Sequence, residues 1–212
     1  MSSYKLIYFD LTGRAEPIRY IFAYCNQPYE DVRVSREQWH EIKKDTPFGQ
    51  IPILEIDGKP VAQSNAIARY LARQFKLTGK DEWEALQCDV LIDTISDFQQ
   101  GSRKLFLESD PEKKEALKKK IYEEEYPFYL SRFNSIVDKN GGFAVGSQTT
   151  WADFVFATTL SSIEKRNAGV LKPYPALTNL IERVHNLPAI KKWLEIRPVE
   201  KPMMPPPGHG KK

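Results

Sequence analysis

The stretch Thr46–Ala68, TPFGQIPILEIDGKPVAQSNAIA, holds the parts of a site for a peptide-like molecule. It opens with the loop Pro47-Phe48-Gly49-Gln50-Ile51-Pro52, where Pro52 has no amide to donate and restricts Ile51 to extended backbone. Two short apolar runs follow, Ile53–Ile56 and Pro60–Gln63, joined by Asp57-Gly58, a pair suited to the positive φ angles of a tight hairpin turn. Ser64 then stands before Ile67, Tyr70, Leu71 and Phe75, which fall on one helical face, so Ser64 is the expected N-cap. An extended loop can pair main chain with main chain, and a helix start offers free amides and a positive dipole end to a carboxylate. On these residues alone an ordinary hairpin with a capped helix is the preferred reading. Tyr8 lies near the end of a strand pattern, where open α/β sheets place their ligands; by alternation alone it would also serve as a core aromatic.

Other chemistries lack their residues. There is no C-x-x-C at the first helix for dithiol exchange, no P-loop and no G-x-G-x-x-G. His40, His185 and His209 are scattered without ligand spacing, so no metal site is expected. The two cysteines, Cys25 and Cys88, each sit on the apolar side of a predicted helix and read as buried free thiols. A net charge of +3, with both signs interspersed, gives no concentrated basic face for nucleic acid. No apolar run approaches a membrane span, and MSSYKLIYFD lacks the order of a signal peptide, so cytoplasmic residence is expected.

The elements that would position these residues change character along the 212-residue chain. Tyr4–Phe9 alternates as a strand with Tyr4, Leu6 and Tyr8 on one side. A turn at Asp10–Gly13 leads into a helix carrying Ile18, Ile21, Phe22 and Cys25, with Pro17 early, where a missing amide is tolerated. Tyr29–Val34 is a second strand, and Ser35-Arg36-Glu37-Gln38 reads as a capping box opening a short helix with Trp39 and Lys43. The order is βαβ, a short helix, then ββα. Beyond Lys76 the period becomes helical: Trp83–Phe106 with Cys88, Leu91, Ile92, Ile95 and Phe98 on one face, then Glu112–Val137, interrupted or bent at Pro127 and closed by Gly141-Gly142. Thr150-Trp151-Ala152-Asp153 opens another helix; Leu177, Leu180, Ile181 and Val184 mark a further one, and Pro188–Leu194 a last. The expected organisation is an α/β domain over 1–76, a linker over 77–83, an all-helical domain over 84–198 and a flexible tail over 199–212.

PFGQIPILEIDGK followed by QSNAIARYL, with YKLIYFDLTGRAEPIRYIFAY upstream and TWADF downstream, resembles the cytosolic glutathione transferases, most closely the sigma class that includes the haematopoietic prostaglandin D synthases. The resemblance runs from about Tyr4 to Pro198 and implies a thioredoxin-like domain followed by a helical one. It further implies that the Tyr8 hydroxyl donates to the sulfur of glutathione, the co-substrate, and that Arg14 supports this step. By the same resemblance Trp39 and Lys43 reach the glycyl end, and backbone around Gly49, Gln50 and Ile51 pairs with the cysteinyl part beside a cis Pro52. Gln63 and Ser64 take the γ-glutamyl carboxylate. Asp97 would reach the γ-glutamyl amino group bound in the neighbouring subunit, which implies a homodimer. Phe48 lies where some classes insert an aromatic into the partner.

The implied reaction is addition of the glutathione thiolate to small hydrophobic electrophiles, lipid-derived ones among them, in a site near Phe9, Leu11, Thr12 and Gln99–Leu107. Two departures bear on the prostaglandin alternative. The family's magnesium-binding acids reduce to Asp93 and Asp97 with Ser96 between, and Lys104 stands where those enzymes carry a pocket tryptophan. A third reading, a catalytically weak crystallin-like protein, is opposed by the presence of Tyr8, Arg14, Trp39, Lys43, Gln63 and Ser64.

Overall fold

The computed structural model describes residues 2–199. A four-stranded mixed sheet has the order β2-β1-β3-β4, from β1 (Tyr4–Phe9), β2 (Glu30–Val34), β3 (Ile53–Ile56) and β4 (Lys59–Ala62). β1 and β2 run parallel, joined through α1 (Glu16–Tyr24), a helix long enough for the crossover that parallel pairing requires. β3 and β4 are antiparallel to their neighbours and meet at Asp57-Gly58, whose φ angles of 49° and 78° are those of the tight hairpin read from the sequence. Leu6 and Tyr8 point into the core from β1, as the alternation requires. Ser35 and Gln38 form the expected reciprocal cap on α2 (Arg36–Ile42), after which Lys43–Asp45 tightens into a 3-10 turn.

α3 (Ser64–Gln74) corrects two expectations. Its cap is Gln63, not Ser64: Gln63 adopts φ 75°, ψ 99°, which turns the chain out of β4 one residue early, and its carbonyl accepts from the Ile67 amide. The buried face is Ile67, Ala68, Leu71 and Ala72, so Tyr70 lies outside it and is exposed.

The rest of the described chain is helical. α4 (Glu82–Leu107) is capped by the Asp81 carboxylate and buries the predicted Cys88, Leu91, Ile92, Ile95 and Phe98. The connection before it is not loose: Leu77 is buried, and its carbonyl accepts from the Trp151 amide. α5 (Pro111–Lys120) and α6 (Tyr126–Lys139) are separated by a π-helical turn, Ile121–Glu125, rather than by a simple bend. There the Tyr126 amide reaches back five residues to the Ile121 carbonyl. Pro127, next in line, has no amide for the regular ladder, and its ring would crowd a carbonyl one turn back, so the wider turn relieves both.

α7 (Trp151–Arg166) starts at a buried Asp153 carboxylate that accepts from the Thr150 amide and hydroxyl, the Ala144 amide and Arg183. α8 (Pro175–His185) and α9 (Pro188–Ile196) follow. α1 packs on α7 and α9, so a continuous core joins the sheet part to the helices, with Tyr20 and Tyr24 both against Phe154. Cys88 is buried and Cys25, just past the end of α1, half-buried; both thiols are free and burial pushes each up to about 11. Of the expected tail, all but Val199 lies outside the described residues.

Candidate active site

Tyr8 sits at the carboxyl end of β1 with only 8% of its surface exposed, and its hydroxyl oxygen accepts from the Arg14 amide at 3.2 Å. The turn that delivers Arg14 passes over the phenol at Gly13, where φ is +44°. A Cβ at that position would fall 2.7 Å from the Tyr8 hydroxyl and 2.6 Å from Leu11 Cδ1, so only glycine lets the turn lie this close. Burial pushes the Tyr8 phenol above its ordinary value, while the Arg14 amide and the charges of Arg14 and Arg19 pull it back. The outcome is a neutral hydroxyl with a proton to donate at physiological pH.

Beside it a small cleft is lined by Arg14, Phe48, Gln50, Ile51, Pro52, Ala62, Gln63 and Ser64. The Ile51–Pro52 peptide is cis. Six of the predicted site residues therefore share one cleft: Arg14, Gln50, Ile51, Pro52, Gln63 and Ser64. Positive φ at Gln63 is uncommon for a side-chain-bearing residue and presents the first turn of α3, with its unpaired amides, to the cleft. That is a seat for a carboxylate.

The remaining predicted residues lie around this cleft or away from it. Trp39 on α2 turns its ring edge to Phe9, centroids 6.0 Å apart, and Phe9 in turn lies 5.9 Å from the Tyr8 ring. Lys43 continues the spiral of α2, its amide donating to the Trp39 carbonyl. Gly49, at φ +61°, would bring a Cβ within 3.6 Å of Lys43 Cε, so the loop and this lysine adjoin. Asp97 is not part of the cleft. It is exposed on α4 and accepts from Gln100 Nε2 at 2.9 Å. Its neighbour Ser96 accepts from Asn65 Nδ2 at 3.0 Å, which stitches α4 to the start of α3.

Sequence reasoning missed Gly13 and Asn65 as supporting residues. A glycine closing the turn between the first strand and the first helix was the available signal for the first; the second had none. On the α4 segment expected to line an electrophile site, Gln99 is tied to Thr159 of α7 at 3.0 Å, while Arg103, Lys104, Phe106 and Leu107 are exposed. Among the described residues no group of three or more His, Cys, Asp or Glu side chains comes together to hold a metal ion.

Comparison with known proteins gives the same architecture. Residues 4–73 match the glutathione S-transferase N-terminal domain, and residues 96–197 match the glutathione S-transferase C-terminal domain. Glutathione S-transferase S1 of Drosophila melanogaster is 44% identical over 200 residues, 93% of this chain and 80% of the relative. The hematopoietic prostaglandin D synthase of Mus musculus is 39% identical over 201 residues, covering 95% of this chain and all of the relative. Among solved structures, the prostaglandin synthase D of Nilaparvata lugens superposes with a TM-score of 0.90 at 43% identity, over 93% of this chain and 100% of that one. With both halves of the fold matched in order and a cleft built from the expected loop, hairpin and helix start, the chain belongs to the glutathione S-transferase family.

Proposed function

We propose that this glutathione transferase is of the sigma class, acts as a cytoplasmic homodimer, and activates the glutathione thiol at Tyr8. One observation carries the reading: a buried, neutral Tyr8 hydroxyl, held by the Arg14 amide, at the edge of a cleft that ends on the open amides of α3. The γ-glutamyl carboxylate suits those amides at Ser64, the cysteinyl main chain suits the extended backbone at Gln50–Ile51, and the glycyl end falls toward Lys43 and Trp39. Cytoplasmic residence is supported by two unpaired cysteines.

An ordinary thiol with a pKa of about 8.5 is only about 3% ionised at neutral pH. Lowering that value by roughly two units takes about 2.7 kcal/mol of preference for the thiolate and leaves roughly three-quarters ionised. A charge-assisted hydrogen bond from Tyr8, helped by the field of Arg14, is of that size. The thiol proton leaves to solvent. With a chloroarene the sulfur then forms a bond to the ring carbon and chloride departs with the C–Cl electron pair. With an unsaturated aldehyde the sulfur adds to the double bond and water returns a proton to carbon. Holding both reactants together supplies the rest of the acceleration.

The test is an ultraviolet titration of bound glutathione with wild-type protein and Tyr8→Phe, paired with conjugation to a chloro-nitroarene. Tyr8→Phe should return the bound thiol toward its free value and slow conjugation by roughly 10- to 100-fold at neutral pH. An unshifted wild-type thiol and no conjugation would remove the catalytic assignment.

Prostaglandin D isomerisation is the second reading, favoured by the two relatives that bear that name. Lys104, exposed on α4 where the resemblance expects a tryptophan, weighs against it as the main activity. Turnover of a prostaglandin endoperoxide beside that of the chloro-nitroarene separates the two.

A further inference from the structure

The turn Thr12–Ala15 carries Arg14, and both of its ends are fastened by one buried ion pair. At its exit Glu16, 2% exposed, begins α1. At its entrance the Leu11 carbonyl accepts from Arg19 Nη1 at 2.8 Å. Arg19 is fully buried, and the same Nη1 donates to Glu16 Oε2 at 3.2 Å, while its Nε donates to Asp31 on β2. The other Glu16 oxygen, Oε1, accepts from two groups at the far end of the chain: Trp193 Nε1 at 2.8 Å and Arg197 Nη1 at 2.9 Å. Both belong to the last turn of α9 and its cap. A buried carboxylate taking three hydrogen bonds, two of them from guanidinium groups, is held far more tightly than a surface acid. Glu16 therefore fixes where α1 starts, Arg19 fixes where the turn begins, and the end of α9 fixes Glu16.

We propose that the Glu16–Arg19 pair, locked by Trp193 and Arg197, is a positioning device for thiol activation. It keeps the Arg14 amide on the Tyr8 hydroxyl and the Arg14 charge over the sulfur site, so that the end of α9 sets how acidic the bound thiol becomes. The proposal rests on the assignment of thiol activation to Tyr8 and Arg14. None of Glu16, Arg19, Trp193 or Arg197 lines the glutathione cleft, so loosening them should alter the thiolate and leave binding nearly unchanged.

The experiment compares wild-type protein with Trp193→Phe, which keeps a ring but drops the N–H, with Arg197→Gln and with Glu16→Gln. Each is read by the pKa of bound glutathione, by kcat and KM with a chloro-nitroarene across pH, and by thermal melting, with Tyr8→Phe alongside. The bound-thiol pKa should rise by roughly half to one unit, with kcat down about two- to fivefold near pH 6.5 and recovering in alkali. KM for glutathione should stay within about twofold. Glu16→Gln removes one of the two carboxylates that pair with buried Arg19 and is the variant most exposed to misfolding; Trp193→Phe and Arg197→Gln keep the test decisive. Variants that melt lower but hold a wild-type thiol pKa and kcat would reduce the network to a structural strut and overturn the proposal, while the Tyr8 assignment stands on its own shifted control. If Tyr8→Phe also leaves the thiol unmoved, the fault lies with the thiol site itself and the inference falls with it.

Discussion

Gly13 is the residue at which geometry is least forgiving. Its φ of +44° and the 2.7 Å separation that a Cβ would have from the Tyr8 hydroxyl put two separate penalties on any substitution. Gly13→Ala should cost about 1–3 kcal/mol of stability and at least about tenfold in kcat, because the turn must lift off the phenol. Urea unfolding and steady-state rates check this; a variant with wild-type kcat would show that the Arg14 amide is not needed where it lies. The alternation of Tyr4–Phe9 was enough to predict that Tyr8 is buried, and the surrounding motifs suggested what its hydroxyl would do. The over-passing turn was not legible, since the closeness of Gly13 to Tyr8 exists only once β1 and α1 are docked. Gln63 and Ser64 were both named, with the cap placed one residue late: φ of 75° at a glutamine runs against local preference and is imposed by the sharp exit from β4.

Elements whose ends are written in side chains were read well. Ser35-x-x-Gln38 caps α2 as expected, and the Asp153 carboxylate ties the start of α7, because such signals are local. α8 ends on a residue whose environment is not local at all. His185 packs against the Tyr20 ring, with centroids 6.3 Å apart, and its pKa is lowered, first by burial and then by the charge of Arg197, with Glu16 opposing. The folded state thus resists protonating His185 more than the unfolded chain, whose value is near 6.5. This contribution to stability is intact above that value and is lost as pH falls through it toward the lower folded value. Melting temperature should fall between about pH 7.5 and 5.5, and His185→Phe should flatten that slope. A slope identical in the variant would locate the acid sensitivity elsewhere.

At the level of the whole molecule, polar side-chain ties cross between the sheet part and the helices. Among the described residues they include Arg69–Asp89 at 2.6 Å, Asn65–Ser96 at 3.0 Å, Trp193–Glu16 at 2.8 Å and Arg197–Glu16 at 2.9 Å. The Arg69–Asp89 pair is partly exposed and contributes little to stability on its own; the shared core around Tyr20 and Phe154 does most of the joining. The two-part architecture was legible because strand and helix patterns alternate up to Lys76 and only helical spacing follows it. How the parts dock was not, since each tie joins residues far apart in the chain. Asp97 poses the remaining question at this scale, being exposed on α4 and outside the cleft of its own chain. With the proposed dimer, Asp97→Ala should raise KM for glutathione roughly three- to tenfold while kcat and the bound-thiol pKa stay near wild type. Sedimentation should give a mass of two chains. A monomer with unaltered KM would return Asp97 to an ordinary solvated acid.

The π-helical turn at Ile121–Glu125 shifts the frame in which α6, the helix that continues from it, must be read. Continuing a regular wheel from the buried Ile121 puts Glu125, Phe128 and Arg132 on the inner face, yet Phe128 and Arg132 are exposed. The side chains that go inside are Tyr126, Leu130, Phe133 and Val137. The discrepancy is one residue, or about 100° of rotation. One extra residue is stored in the turn, and the helices on either side keep their places. A relative that is one residue shorter here therefore needs no compensating loop: the alignment gap belongs inside the helix at this turn, where a gap is usually forbidden.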